Sequence, residues 1–130
     1  MEFSEELIKE AERQAAGKPY TLYVKSLKAI GVIAYEVVIT NLDRTFKNLE
    51  GKEVFIKGNA KACRPVANFS LHEVKAAVKR TQQGVTDYTR FIEEIAAAGV
   101  HTYFADLLIH EISYKGKNVS DNYTEVIPVN

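Results

Sequence analysis

The chain has 130 residues, 46% hydrophobic and 26% charged, which suits one globular domain with its own core. Its 17 basic and 17 acidic side chains leave a net charge of +0, whereas nucleic-acid binders concentrate positive charge. We find no apolar run near the roughly 20 residues that cross a bilayer and no secretion signal. A single cysteine, Cys63, excludes an internal disulfide. We therefore expect a cytoplasmic protein that binds neither nucleic acid nor membrane.

The first 30 residues predict two helices. Apolar side chains recur every four residues in the first of them, at Phe3, Leu7, Ala11 and Ala15. Gly17 is expected to end this helix, because glycine accepts the left-handed backbone of a helix terminus. A second apolar stripe begins at Tyr20, and Gly31 is expected to end it.

Beyond Gly31 the apolar period changes from that of a helix to that of a strand. Residues 32–40, "VIAYEVVIT", are rich in β-branched and aromatic side chains. A turn at "NLDR" then leads to two further predicted strands, "TFKNL" and "EVFIKG". Residues 58–69 have the glycine, proline and asparagine content of a loop.

The second half of the chain repeats this order. Ser70, with Glu73 three residues later, predicts the start of a helix that Gly84 ends. Thr86 or Asp87 can cap the next helix, which Gly99 ends. Residues 100–108 then predict a strand, followed by counterparts of the last two strands in "HEISYKGKNV" and "YTEVIPV".

The two halves also share residue identities. A shift of 68 positions aligns residues 20–35 with residues 88–103, and six of these 16 positions are identical, where roughly one would match by chance. We therefore predict an α+β fold built by tandem duplication of a helix-helix-strand-strand-strand unit. Short connections favour antiparallel sheets packed against the helices. We expect a single domain, 1–130, with repeats at about 3–57 and 70–129 around a pseudo-two-fold axis, in which Gly31 and Gly99 are equally important.

Four tyrosines that recur in the repeat are the first candidates for a site. Tyr20 aligns with Tyr88 and Tyr35 with Tyr103. They could wall a paired groove between the halves, or they could be core positions whose hydroxyls find a local partner. Repetition alone favours the second interpretation, because duplication preserves packing as readily as chemistry.

A second candidate lies between residues 101 and 111, where His101, Asp106, His110 and Glu111 are close in sequence. Alternation along a strand puts His101 and Tyr103 on one face and Asp106 on the other. No metal-ligand spacing is present, so we predict neither a metal nor a cofactor. Cys63 has cationic neighbours, which can lower the pKa of a thiol, but no base is evident beside it, and its role is left open.

The segment from Gln82 to Leu107 resembles a family of small bacterial proteins, a domain of unknown function whose members are often labelled phage envelope protein. The resemblance rests on Gly84, Thr86, Asp87, Tyr88, Phe91, Ala98, Gly99, Val100, Tyr103, Asp106 and Leu107. It extends over nearly the whole chain and departs from the family pattern around "LIHEISYKGKN". It implies no reaction, cofactor or catalytic residue. An envelope component would ordinarily need an export signal or membrane anchor, and we see neither.

These features favour a non-catalytic binding or protein-interaction module, with Tyr20, Tyr35, Tyr88, Tyr103, His101 and Asp106 as the residues of the site. The alternative is a small enzyme with a polar site near His101, Tyr103 and Asp106. The strands "EVFIKG" and "TEVIPV" are suited to sheet edges, and edges tend to be paired or covered. We therefore also expect a homodimer.

Overall fold

The described residues form two helices and three strands, twice over. A computed structural model of the chain describes residues 3–58 and 64–127. The first half contains α1 (Glu5–Ala15), α2 (Tyr20–Ala29), β1 (Val32–Val38), β2 (Arg44–Asn48) and β3 (Glu53–Ile56). The second half contains α3 (Leu71–Gln82), α4 (Tyr88–Ala97), β4 (Thr102–Asp106), β5 (Glu111–Lys115) and β6 (Asn122–Val126). The predicted repeating unit is confirmed.

Side chains at the starts of three helices accept hydrogen bonds from otherwise free backbone N–H groups. Ser4 accepts from the N–H of Leu7 at 3.4 Å, and Ser70 accepts from the N–H of Glu73 at 3.2 Å. Asp87 accepts from the N–H of Arg90 at 2.9 Å, so Asp87 rather than Thr86 caps α4. These caps fix where the helices begin and therefore which faces meet the sheet.

Glycine makes the turn from helix to strand in both halves. The backbone φ angle is +94° at Gly31 and +91° at Gly99. Residues with a side chain rarely adopt this left-handed region, whereas glycine does so without steric cost. The predicted change from helix to strand at these two positions is confirmed.

The strands form one antiparallel sheet in the order β3-β2-β1-β4-β5-β6, so β3 and β6 are its edges. The halves meet where β1 pairs with β4, and Glu36 lies opposite Phe104. These two residues occupy equivalent positions, since 36 plus 68 is 104. Two further pairs, Ala34 with Asp106 and Val38 with Thr102, lie on either side. The same shift relates Ala34 to Thr102 and Val38 to Asp106, so it converts one pair into the other. The register therefore places the predicted pseudo-two-fold axis between Glu36 and Phe104.

Both central strands are shorter than predicted. Strand β1 ends at Val38, and β4 covers only Thr102–Asp106 of the predicted 100–108. At the start of β4, the N–H of Val100 donates to the carbonyl of Ile95 at 2.9 Å, which keeps Val100 at the helix terminus. At its end, the Asp106 carboxylate accepts from the N–H groups of Leu108 and Ile109 and begins a turn.

One face of the sheet is buried and the other is open. The buried face carries alternate strand residues, namely Tyr35, Val37, Phe46, Tyr103, Ala105, Ile112 and Tyr114. The apolar stripes of all four helices join these residues in one core, through Ile8, Leu27, Val74, Val78, Phe91 and Ile95. The opposite face exposes Glu36, Lys47, Lys115, Thr124 and Val126. Within residues 3–58 and 64–127 the helices therefore cover one side of the sheet, as the strand alternation requires.

The helices pair within each half. Helix α1 packs on α2, and α3 packs on α4, whereas within the described residues α2 and α4 make no comparable contact. The core residues that join the halves come mainly from β1 and β4. The division into repeats at 3–57 and 70–129, joined by residues 58–69, stays our interpretation of this arrangement. Cys63 lies outside the described residues.

Candidate functional site

Each half of the molecule contains a pair of hydrogen-bonded tyrosines. Tyr20, in the first turn of α2, shares a hydrogen bond between hydroxyls with Tyr35 on β1. Tyr88, in the first turn of α4, is joined in the same way to Tyr103 on β4, with 2.8 Å between the oxygen atoms. Both pairs span 15 residues. In each half, the glycine turn between helix and strand places the start of the helix over the strand that follows it. The start of α2 thus lies over β1, and the start of α4 lies over β4.

The two pairs meet at the pseudo-two-fold axis. The rings of Tyr35 and Tyr103 are 6.3 Å apart between centroids and nearly perpendicular, at 78°. Tyr35 is 2% exposed and Tyr103 is 5% exposed, whereas Tyr88 is 49% exposed. We call Tyr20, Tyr35, Tyr88 and Tyr103 the tyrosine cluster. It connects the core to the molecular surface between the two helical pairs.

Burial keeps the tyrosine cluster uncharged. It raises the pKa of Tyr35 and of Tyr103 well above the usual value for a phenol, because water cannot solvate the phenolate there. Burial likewise raises the pKa of Tyr20, although the hydrogen bond from Tyr35 acts in the opposite direction. The pKa of Tyr88 is also raised, chiefly by burial around its hydroxyl, an effect that solvent reduces because half of the residue is exposed. These phenols are therefore neutral donors and acceptors near pH 7.

Among the described residues, a polar group flanks the tyrosine cluster on the side of the first half. The guanidinium of Arg44 on β2 meets the carboxylate of Glu12 on α1 through two contacts, at 2.8 Å and 3.2 Å. The hydroxyl of Tyr23 donates to the same carboxylate at 3.4 Å, and its ring lies 6.0 Å from that of Tyr35. We call Glu12, Tyr23 and Arg44 the polar triad.

The polar triad has no counterpart in the second half, because the equivalents of Tyr23 and Arg44 are Phe91 and Ile112. Sequence reasoning missed these residues as members of a site. Glu12 and Arg44 are 32 positions apart, on elements that only the fold brings together. The available signal was the departure from the repeat, polar residues at positions 23 and 44 where the other half is apolar.

His101 and Asp106 do not lie together in the structure. They lie at opposite ends of β4, and the Asp106 carboxylate accepts from the N–H groups of Leu108 and Ile109 at 3.0 Å and 3.3 Å. Tyr103 points into the core between them. The Nε2 atom of His101 is buried and has no hydrogen-bond partner among the described residues. Of the six predicted site residues, the fold therefore brings the four tyrosines together.

The described part of the chain contains no cluster of three histidine, cysteine, aspartate or glutamate residues able to hold a metal ion. His110 contacts Lys28 instead, with 2.9 Å between Nε2 and Nζ. Among the described helices, none has both the length and the apolar character needed to cross a membrane.

The fold defines the chain as a duplicated α+β protein with helices on one face of a six-stranded antiparallel sheet. A family model described as "Protein of unknown function (DUF1398)" matches residues 7–125, which shows that the chain belongs to this family. The resemblance to a domain of unknown function is confirmed, and the match does not bear on the phage label. No curated protein matches the chain.

Proposed function

We propose that the protein is a non-catalytic binding or protein-interaction module whose partner covers the tyrosine cluster between the two helical pairs. The observation that carries this proposal is the meeting of two equivalent hydroxyl pairs, Tyr20 with Tyr35 and Tyr88 with Tyr103, at the junction of the halves. Tyr88 remains 49% exposed there. Its ring offers an exposed aromatic face, and its hydroxyl is held by the hydrogen bond with Tyr103.

The chemistry of the tyrosine cluster supports binding more than catalysis. Tyrosine side chains contribute large contact areas at small entropic cost, and they are common at the energetic centres of interfaces. A general base needs a pKa near the working pH, whereas burial moves the pKa of Tyr35 and Tyr103 the other way. The net charge of +0 favours a protein or an uncharged small molecule over a nucleic acid.

Photo-crosslinking at Tyr88 tests this proposal. Benzoylphenylalanine replaces Tyr88 in one variant of the full chain and the fully exposed Val119 in a control variant, and both are irradiated in the cells that make the protein. We expect a discrete crosslinked product at position 88 that is absent at position 119. No product at 88, or the same product at both positions, contradicts the proposal.

The small-enzyme alternative near His101, Tyr103 and Asp106 has less support. Its one favourable observation is the buried Nε2 atom of His101, which lacks a partner among the described residues. The Asp106 carboxylate, however, is occupied by two backbone N–H groups at the far end of β4. A substrate contacting both residues would have to span the strand.

We further propose that the chain forms a homodimer in the cytoplasm through an edge of its sheet. Strands β3 and β6 are the edges, and unpaired strand edges tend to be covered. Phe55 on β3 and Val126 on β6 are 56% and 63% exposed. The single cysteine suits a reducing compartment. Light scattering at micromolar concentration should give twice the chain mass of 14.6 kDa, and a value of 14.6 kDa contradicts the dimer.

A further inference from the structure

A row of three tyrosines crosses the second half on the face of the sheet that meets the helices. The strand register places Tyr103 on β4 opposite Tyr114 on β5, and Tyr114 opposite Tyr123 on β6. The ring centroids are 5.8 Å apart in the first pair and 6.3 Å apart in the second, where the rings stack at 16°. Rings at these separations are in direct aromatic contact. We call Tyr103, Tyr114 and Tyr123 the tyrosine row, and it leads from the tyrosine cluster to the edge of the sheet.

The first half has the same row without most of the phenols. Tyr35 on β1 lies opposite Phe46 on β2, which lies opposite Val54 on the edge strand β3. Phe46 and Val54 both pack in or against the core, so the sheet packs without hydroxyls at these two places. Phenylalanine and valine are also much harder to oxidise than a phenol. The hydroxyls of Tyr114 and Tyr123 therefore give the second half a chemical property that packing does not require.

The tyrosine row is connected to the surface at both ends. At one end, the hydroxyl of Tyr103 is hydrogen-bonded to that of Tyr88 at 2.8 Å, and Tyr88 is 49% exposed. At the other end, Tyr123 is only partly buried, and its hydroxyl donates to the carboxylate of Glu125. This carboxylate raises the pKa of Tyr123 to about 12, because the hydrogen bond holds the proton on the phenol. The phenolic proton of Tyr123 therefore faces a base that can accept it.

Tyr123 is the member of the row best placed to become oxidised. A phenol that loses an electron becomes a strong acid, so its proton must have somewhere to go. Tyr103 and Tyr114 are buried, where a charged product is not solvated. The ammonium of Lys75 lies 5.6 Å from the centre of the Tyr123 ring, and its charge disfavours a cationic ring. Glu125 removes this cost by taking the proton, which leaves the Tyr123 ring neutral.

The first half offers a weaker end for the same reaction. The hydroxyl of Tyr23 donates to the Glu12 carboxylate at 3.4 Å, and the ring of Tyr23 is 6.0 Å from that of Tyr35. The guanidinium of Arg44 already pairs with this carboxylate at 2.8 Å. A carboxylate beside a cation is a poorer proton acceptor. Oxidation at Tyr123 is therefore favoured over oxidation at Tyr23.

We propose that the tyrosine row carries an oxidising equivalent from Tyr88 to Tyr123, which makes Tyr123 a redox-active tyrosine. The reaction needs a one-electron oxidant at the exposed Tyr88, such as an oxidised metal complex, and this oxidant gains one electron. Electrons then pass along the row toward Tyr88 until Tyr123 has lost one. The hydroxyl proton of Tyr123 moves to Glu125, which leaves a neutral tyrosyl radical and a glutamic acid. The other phenols end unchanged, and the reaction does not depend on a partner at the tyrosine cluster.

A photo-oxidant attached near Tyr88 tests the proposal. The variant Val85→Cys carries a ruthenium tris-bipyridine label at an exposed position in the turn before α4. The label is placed on the full chain in which the single natural cysteine is replaced, Cys63→Ser. Illumination with a cobalt(III) electron acceptor oxidises the label. A nitroso spin trap then marks the tyrosine that holds the radical, and peptide mass spectrometry locates the adduct. We expect an adduct at Tyr123.

Substitutions within and outside the row show the path. Tyr114→Phe should remove most of the Tyr123 adduct, because it interrupts the row and keeps the ring, as Phe46 does in the first half. Tyr20→Phe is the matched control, since it also removes one buried hydroxyl but lies outside the row, and it should leave the adduct unchanged. Glu125→Gln should remove most of the adduct, because an amide does not accept the proton.

Each other outcome overturns the proposal. Absence of an adduct at Tyr123 shows that the row does not carry the oxidising equivalent to the sheet edge, and an adduct at Tyr23 instead shows that it leaves through the first half. An adduct at Tyr123 that Tyr114→Phe leaves intact shows that the oxidant reaches Tyr123 through solvent. Equal losses in Tyr114→Phe and Tyr20→Phe, with folding checked by circular dichroism, show that the row is not the path. An undiminished adduct in Glu125→Gln contradicts the proton transfer.

Discussion

Leu42 and His110 adopt the same left-handed backbone, with φ of 61° and 56°, although neither is glycine. They are equivalent in the repeat, since 42 plus 68 is 110, and each lies in the turn after a central strand. This conformation costs a residue with a Cβ atom roughly 1–2 kcal/mol. Duplication has therefore preserved a strained turn as well as a packing pattern.

Glycine at these two positions should have different effects. His110→Gly should raise the free energy of unfolding by about 0.5–1 kcal/mol, because it relieves the strain and removes a buried Nδ1 atom without a partner among the described residues. Leu42→Gly should give no gain, because Leu42 packs against the core and its burial is lost. Urea unfolding of both variants checks this. Stabilisation by Leu42→Gly equal to that by His110→Gly contradicts it.

Valine at the helix-to-strand glycines should also have unequal effects. The sequence predicts equal costs, and the shared φ angles support a loss of at least ~1 kcal/mol for Gly31→Val through left-handed strain. Gly99→Val should cost clearly more, because its Cβ would lie within 3 Å of the backbone of Asn68 and Phe69. The different surroundings therefore lead us to expect a larger loss of stability for Gly99→Val than for Gly31→Val, instead of equal losses. Similar urea midpoints for the two variants would show that residues 66–70 move aside at little cost.

The fold was predictable because its signals are local. Each signal acts over a few positions: a helix cap such as Ser70, a glycine at a helix end, or the alternation of residues along a strand. The same signals occur in both repeats. The pseudo-two-fold axis followed from this repetition, whereas the sequence left open whether the four tyrosines wall a groove or belong to the core. Leu42 and His110 gave no such signal, because neither is glycine, the residue that usually marks a left-handed turn.

The differences between the halves were not predictable. The ion pair of Glu12 and Arg44 joins α1 to β2, and its formation depends on how the helical pair docks on the sheet. The packing of Asn68 and Phe69 against Gly99 likewise depends on the path of the chain through residues 64–70. A repeat predicts what two units share, whereas both of these features belong to one unit only.

The polar triad provides a test of that asymmetry. Arg44→Met should destabilise the protein by about 1–3 kcal/mol, because it leaves the Glu12 carboxylate, 27% exposed, without its cationic partner. Glu12→Leu combined with Arg44→Met should recover most of this loss, since the second half has apolar Ile112 at the position equivalent to Arg44. A double-mutant cycle from urea unfolding measures the coupling. Additive losses would show that the pair contributes no net interaction.

The buried phenols predict a steep loss of stability in alkali. Burial raises the pKa of Tyr20, Tyr35 and Tyr103 above the usual value for tyrosine. Above about pH 10 the unfolded chain loses these protons while the folded chain retains them. The folded state then binds more protons, so the free energy of unfolding is unaffected at lower pH and falls as the pH rises.

Above about pH 10, each phenol that stays protonated in the folded state lowers the free energy of unfolding by up to about 1.4 kcal/mol per pH unit. We therefore expect phenolate absorbance to appear together with the loss of circular dichroism, in one transition above pH 10, rather than gradually beforehand. Tyr103→Phe removes one of these protons and should make the decline of stability with pH less steep by up to that amount, although the hydroxyl bond to Tyr88 is lost. A decline as steep as that of the parent, or phenolate absorbance from all the cluster tyrosines while the fold is intact, would show that their hydroxyls are accessible to solvent.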